Sequence, residues 1–519
     1  MRFRWLVVVG IALALGGAGI AQESREAPLT PEPSPRRIPL DLTERADDGA
    51  QLSVTQHSVV SDTVLPYTAR AGWLPLKDEW DRPTAEVFFV AYETDDVGAA
   101  TQRPLAFVFN GGPGASSIWL HMGAIGPRRV GLDAANPETA GSEPRLEDNE
   151  LSWLHFMDLV FVDAVGTGFS RPVSTQDAAP FYSTREDIRV MSEFIRRFVT
   201  RFNRWHSPRL LVGESYGAIR AAGLAQDLFE SHGMEVHGLI LVSPALSLPA
   251  ITFGPGNDLP YALFIPSYTA LAWHHKRLAP DLQKNLADAL KKSEQWVQQE
   301  YWPALLRGNS LPESDRSRVA EGLARFTGIA QATVQRNRLR VDRSLFQSEL
   351  LRDRALHLSL FDGRVAAQRA PSSPLEDPGL QPTIGPLVSS LLHYLKDELR
   401  FETDRPYRFF SESVNGRWDW EPSLQGANTG LEMLEKSMNR NRRLRVFAGA
   451  GLHDLATPYG SVQYSLNHLA IDADRQKEIV SKTYECGHMP YLDTAILRQW
   501  TADVSEFVKS TLHGQGVNP

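Results

Sequence analysis

The chain has 519 residues, 42% of them hydrophobic and 22% charged, with 54 Lys and Arg against 62 Asp and Glu for a formal charge of −8. That share of apolar side chains excludes a disordered or collagen-like chain, and the lack of a basic excess argues against nucleic acid as a partner. A single cysteine, Cys486, excludes any intrachain disulfide and any cysteine-rich metal or cluster site.

Residues 1–21 read as a signal peptide. Arg2 and Arg4 form the positive start, Trp5–Leu15 is apolar, and Gly19-Ile20-Ala21 supplies small residues before cleavage at Gln22. The apolar run is short of the ~20 residues that span a bilayer. Export to a periplasm or the exterior is expected, without stable membrane insertion after cleavage. Residues 22–50 read as a linker, rich in Pro, Ser and charge over Glu23–Arg37. From Leu52 to Tyr92, alternation such as Glu86-Val87-Phe88-Phe89-Val90-Ala91-Tyr92 predicts antiparallel β structure.

Short apolar runs then recur at Leu105–Phe109, Leu159–Val162, Leu210–Val212 and Leu239–Val242, each bounded by turn residues. Such runs predict strands buried on both faces of a mostly parallel sheet. Before the third, Ser183-Thr184-Arg185-Glu186 has the form of a capping box, and Ile188, Met191, Ile195, Phe198 and Phe202 give one apolar helical face. Residues 248–440 break this grammar and read as helices (Pro280–Trp302, Glu313–Phe326, Leu387–Leu399) joined by loops. The α/β pattern resumes with a strand at Leu444–Ala448, a helix within Thr457–Ile471, a strand at Glu478–Tyr484 and an amphipathic helix at Ile496–Leu512. The expected organisation is an α/β domain in two parts, 51–247 and 441–519, with a β-rich N-terminal extension and a helical insertion or cap over 248–440.

Gly213-Glu214-Ser215-Tyr216-Gly217 sits between a predicted strand and the helical stretch Ala218–Leu228. This is the context in which a sharp strand-to-helix turn lifts a serine hydroxyl clear of the sheet as a nucleophile. A serine needs a base, and the base an orienting acid, arriving in the order Ser, Asp or Glu, His from loops after later strands. Asp454, in the loop after Ala448, and His488, in Cys486-Gly487-His488-Met489-Pro490 after Tyr484, fall in those places. Taken singly, Asp454 could cap the following helix and His488 could be an ordinary loop residue. In this order and these loops, they complete a triad. The backbone N–H of Tyr216 is one expected oxyanion donor, and the loop Asn110-Gly111-Gly112-Pro113-Gly114 should supply the second. No Gly-Lys-Ser/Thr follows that loop, so it is not a phosphate cradle.

Other reactive residues read as structural. Cys486 has no elbow and suits a packed thiol, and adjacent His274 and His275 do not form a metal-binding pattern. His453 shares the loop of Asp454 and would leave His488 without a purpose. Asp362-Gly363 reads as a turn, with Arg364 a possible lining of the cleft.

Asn110–Ser117, Gly166-Thr167-Gly168-Phe169-Ser170, Gly213–Gly217 and Gly487-His488-Met489-Pro490 together resemble the serine carboxypeptidase family. The resemblance implies an α/β-hydrolase fold, with Ser215 as nucleophile, His488 as base and Asp454 as its orienting acid. It further implies oxyanion donors at Gly112 and Tyr216, and no cofactor or metal. Family members remove one residue from the carboxyl end of a peptide or protein. They bind the terminal carboxylate at positions that correspond here to Asn110, Gly111 and Glu214. A carboxylate beside Glu214 requires Glu214 to be protonated, so activity should be greatest at acidic pH. Two positions depart from the family pattern: Ala124 stands where a second glutamate usually partners the first, and Ala115 replaces a usual cysteine, the structural disulfides being missing. An esterase or acyltransferase with the same triad, or a non-catalytic binding protein, are the alternative readings.

Overall fold

The computed structural model describes residues 52–60, 64–95, 103–132, 145–174, 179–368, 370–420 and 429–513. The expected signal peptide, residues 1–21, and linker, residues 22–50, lie outside the described residues.

Strands β1 (Leu52–Val60), β2 (Val64–Lys77) and β3 (Pro83–Thr94) form the antiparallel meander that their alternation predicts. Six parallel strands follow: β4 (Leu105–Phe109), β5 (Asp158–Val162), β6 (Arg209–Glu214), β7 (Gly238–Val242), β8 (Arg445–Gly451) and β9 (Ile479–Tyr484). Their spatial order is β1-β2-β3-β5-β4-β6-β7-β8-β9, and β3 joins β5 antiparallel with Phe89 opposite Val162. Every residue of β4 to β7 is buried, because helices cover both faces of the parallel part.

Helix α1 (Thr184–Arg201) crosses from β5 to β6, and helix α2 (Tyr216–His232) from β6 to β7. Half of the predicted capping box forms: Ser183 Oγ accepts from Glu186 N at 3.3 Å. The Glu186 carboxylate turns instead to Arg189, 2.9 Å away. Alternate strand residues divide between two cores. Phe107, Val160, Leu211 and Leu241 pack against Met191, Phe198 and Leu224 on one face, while Val108, Phe161, Val212 and Ile240 pack against Trp500 and Phe507 of the C-terminal helix on the other.

Residues Tyr261 to Leu358, joined by Leu455, build a third apolar cluster around Tyr268, Tyr301 and Phe346. The helix Gln381–His393 sends Leu387 and Leu391 into one sheet core, and Thr429–Arg440 sends Leu434 and Met438 into the other. The predicted helix Pro280–Trp302 is broken into Pro280–Gln283 and Leu286–Trp296, followed by a π turn at Val297–Tyr301. Asn285 causes the break: its side chain accepts from Asp288 N at 2.9 Å and starts a new helix. A short ladder, His357–Leu358 with Ala366–Ala367, frames the turn at residues 361–364. Among the described residues, no helix is long and apolar enough to cross a membrane.

Candidate active site

The carboxyl ends of β6, β8 and β9 deliver Ser215, Asp454 and His488 to one end of the sheet. Ser215 joins β6 to α2 with φ 58° and ψ −120°, backbone that side-chain-bearing residues seldom adopt and that is held here by its surroundings. A Cβ on Gly213 would stand 2.1 Å from Gly217 O, so the turn closes only because that position is glycine. Ser215 N donates to Val242 O at 2.9 Å. The residue is partly exposed while its neighbours on either side are buried.

Asp454 Oδ2 lies 2.7 Å from His488 Nδ1. An ionised carboxylate can only accept, so Nδ1 carries the proton and Nε2 is left as the basic nitrogen. Asp454 Oδ1 accepts from Ala456 N at 2.7 Å and Thr457 N at 3.0 Å. The two roles that the sequence allows for Asp454, backbone cap and partner of His488, are divided between its two oxygens. Thr457 Oγ1 lies 2.8 Å from Asp454 Oδ2 and 2.9 Å from Ser243 O, one proton for two acceptors.

His488 is 3% exposed, and its backbone is held on both sides. Its N–H donates to Phe361 O at 2.6 Å, and its carbonyl accepts from Ser243 Oγ at 2.7 Å. Burial opposes the imidazolium, but the charge and hydrogen bond of Asp454 outweigh it, and the imidazole titrates above its ordinary range. Ser215 Oγ has no hydrogen bond to His488 or to any other described residue. The structure thus joins Asp454 to His488 and brings Ser215 to the same end of the sheet without bonding it to them. Such nucleophile–base contacts commonly tighten when substrate binds.

The loop after β4 lies against this elbow. A Cβ on Gly111 would stand 2.6 Å from Glu214 O, 2.7 Å from Tyr216 N and 2.9 Å from Ser215 Cβ. No side chain fits there. Gly112 has φ +103°, and among the described residues neither its N–H nor that of Tyr216 donates to a protein acceptor. Tyr216 is the first residue of α2, where a helical N–H has no intrahelical partner. Asn110 is held by both its ends: its Oδ1 accepts from Leu120 N at 3.1 Å and its carbonyl accepts from Arg220 Nη1 at 3.0 Å. Arg220, 1% exposed, also donates through Nε to Asp187 Oδ2 at 2.8 Å, and the Tyr216 hydroxyl donates to the same oxygen at 3.0 Å.

Glu214 is 6% exposed. Burial pushes its carboxyl up to about 7, helped by the charge of Asp454 and opposed by His488, the Tyr491 hydroxyl and the Asn110 side chain. Tyr491 Oη donates to Glu214 Oε2 at 2.9 Å. Ala124 is buried in the turn His121–Ile125, where its carbonyl accepts from Asn149 Nδ2 at 2.8 Å. No second carboxyl group is present at that position.

The segment Phe361–Arg364 does more than turn. Gly363 N donates to His453 O at 3.0 Å, Arg364 Nη1 donates to Glu485 O at 3.1 Å, and the Phe361 ring centroid lies 5.5 Å from that of His488. Further along, Ser116 N donates to Phe409 O at 2.9 Å, Ser411 N to Gly114 O at 2.8 Å and Asn415 Nδ2 to Pro113 O at 2.8 Å. Trp418 and Trp420 stand edge-on to the Tyr216 ring at 5.2 and 5.8 Å. Residues 361–364 therefore brace the loops of Asp454 and His488, and residues 409–420 brace the Asn110–Gly114 loop.

The Cys486 thiol is 1% exposed, and burial pushes it well above its ordinary range, so it stays a packed thiol. His453 is buried and titrates well below the usual imidazole range; Asp454 pairs with His488, not with it. His275 Nε2 lies 2.8 Å from Gly363 O, and no group of three or more His, Cys, Asp or Glu among the described residues is placed to hold a metal ion. Ser243, Thr457, Phe361, Arg220 and Tyr491 are the site residues that sequence reasoning missed. Tyr491 adjoins the Gly487–Pro490 motif and Phe361 the Asp362-Gly363 turn, and none carries a pattern of its own.

A central parallel sheet with helices on both faces, its serine elbow after one strand and its Asp–His pair in loops after later strands, defines an α/β hydrolase. The serine carboxypeptidase family model matches residues 60–330, more than half of the chain. The chain belongs to the serine carboxypeptidase family. That match takes in the Asn110–Gly114 loop and the Ser215 elbow, while Asp454 and His488 lie beyond it. The pheromone-processing carboxypeptidase KEX1 of Saccharomyces cerevisiae is 32% identical over 157 residues, which is 28% of this chain and 20% of that protein. Serine carboxypeptidase-like 50 of Arabidopsis thaliana is 32% identical over 124 residues, 24% of this chain and 25% of that protein. The chain thus matches only a fifth to a quarter of the length of these relatives. The crystal structure of Kex1ΔP, a prohormone-processing carboxypeptidase from Saccharomyces cerevisiae, superimposes with a TM-score of 0.56 at 18% identity, covering 85% of this chain and 91% of that one. The fold is shared.

Proposed function

We propose that the protein is an exported serine carboxypeptidase that removes the C-terminal residue of peptides or proteins through an acyl-enzyme on Ser215. The observation that carries this reading is the 2.7 Å Asp454–His488 pair at the sheet end where Ser215 occupies the elbow. His488 Nε2 takes the hydroxyl proton as Ser215 Oγ attacks the scissile carbonyl, and Asp454 holds the tautomer and stabilises the imidazolium. The N–H groups of Gly112 and Tyr216 receive the oxyanion, where loss of one donor typically costs about 2.7–4 kcal/mol of transition-state stabilisation. His488 then protonates the leaving amino group, and water releases the shortened peptide from the ester. Asn110, Gly111 and Glu214 bind the terminal carboxylate. No step calls for a cofactor. Residues 1–21 direct export, and the segment 248–440 walls the cleft as a cap.

A substrate carboxylate beside Glu214 is tolerable only when Glu214 is protonated, because two adjacent carboxylates cannot both ionise cheaply. Glu214 titrates at about 7 and is protonated below that value. His488 must be neutral to act as base, so its own titration sets the acidic limb for every substrate. Dividing kcat/KM for a blocked dipeptide with a free carboxyl end by that for its amide cancels the His488 contribution. We expect the ratio to be flat below about pH 7 and to fall tenfold per unit above it. The missing carboxyl at Ala124 favours a second reading, an esterase with the same triad. Cleavage of the amide and a simple ester at comparable rates, with none of the free acid, would select it. Failure of an organophosphonate to label Ser215 in the folded protein would select a non-catalytic binding role.

A further inference from the structure

Tyr491 lies three residues beyond His488, in the turn Pro490–Leu492. Its hydroxyl donates to Glu214 Oε2 at 2.9 Å, and both side chains are buried. The ring lies against the turn that carries Ala124: a Cβ on Gly123 would meet its edge at 3.5 Å. The geometry is that of a donor fixed by packing, reaching a carboxyl group that has no second carboxyl at position 124 to share its proton.

We propose that Tyr491 is a positioning residue for substrate recognition: by donating to Glu214 Oε2 it leaves Oε1 to carry the Glu214 proton and present it to the terminal carboxylate of the peptide. The proposal rests on the carboxypeptidase reading above. A carboxyl partner can exchange a proton with Glu214, whereas a phenol that keeps its own proton cannot, and here the hydroxyl donates to Oε2. Burial and the Glu214 charge hold the Tyr491 hydroxyl well above its ordinary range, so it stays protonated at every pH where the site works. The groups facing Glu214 are His488 and Asp454 from the loops after β9 and β8, Asn110 from the loop after β4, and Tyr491 itself. Glu214 is therefore the one carboxyl at the proposed recognition point, with the Asp454–His488 pair as its titratable neighbours.

The test is the free-acid to amide ratio against pH for Tyr491→Phe and for Tyr491→3-fluorotyrosine, whose hydroxyl is the stronger donor. Donation to Oε2 favours ionised Glu214, so Tyr491→Phe should move the fall of the ratio up by about one pH unit. It should also lower the plateau by about tenfold, since the carboxyl loses its fixed orientation. The fluorinated residue should move the fall downward. Because amide cleavage is the denominator of the ratio, any general effect of either variant on the triad cancels. A ratio unchanged in height and position by Tyr491→Phe would overturn the proposal, leaving Tyr491 a packing residue. If the Phe variant does not fold, an unmoved fall in the fluorotyrosine protein overturns it instead. Absence of any free-acid preference in the wild type would strike the carboxypeptidase reading itself, a distinguishable result.

Discussion

Ser215→Ala and His488→Ala are each expected to lower kcat for the blocked dipeptide by about six orders of magnitude, and the double variant by no more than either alone. On the proposed mechanism nucleophile and base act as one unit, so removing either removes both functions. Asp454→Asn should cost about four orders. The asparagine oxygen can still accept from the N–H groups of Ala456 and Thr457, so the loop should hold. Its NH2 would then face His488 Nδ1, forcing the ring proton onto Nε2, the nitrogen that must be free to take the serine proton. Steady-state and single-turnover rates on protein shown to be folded by circular dichroism decide the matter. A loss under tenfold in Asp454→Asn would show that Asp454 is only a loop cap.

Arg220→Met is expected to destabilise the fold by about 3–5 kcal/mol, because it strands the buried charge of Asp187. The guanidinium is surrounded: Asp187 on one side, the Asn110 carbonyl on another, and the Phe109 and Tyr216 rings at 5.4 and 5.3 Å. The paired change Arg220→Met with Asp187→Leu removes both charges and should recover most of the stability in urea titrations. Activity should not recover with it. The Asn110 carbonyl would lose its bond from Arg220 and the Tyr216 hydroxyl its bond to Asp187, and Tyr216 carries one of the proposed oxyanion donors while Asn110 opens the loop of the other. Recovery of full kcat in the double variant would show that the ion pair serves folding alone.

The buried strands were legible because an apolar run with turn residues at both ends has few other meanings, and β4 to β7 are buried throughout. The elbow was legible because its glycines are required at short range, as the 2.1 Å approach of Gly213 to Gly217 O makes plain. What could not be read were the contacts across the chain that no motif marks. Ser243 bonds a carbonyl 245 residues away, and Tyr491 a carboxyl 277 residues away, with no local pattern to mark either. The helix boundary at Asn285 was missed for a different reason: apolar periodicity continues through it, and only the side-chain cap interrupts the backbone. The Asp-Gly turn at 362–363 was recognised, but its partners, the loops of His453 and His488, become visible only in three dimensions.

The peptide N–H of His488 is satisfied by the carbonyl of Phe361, more than a hundred residues earlier in the chain. The backbone that places His488 therefore depends on a residue between 248 and 440 as well as on the sheet. A change far from Ser215 in sequence, at the turn 361–364, is thus expected to disturb the placing of His488 without altering its side chain.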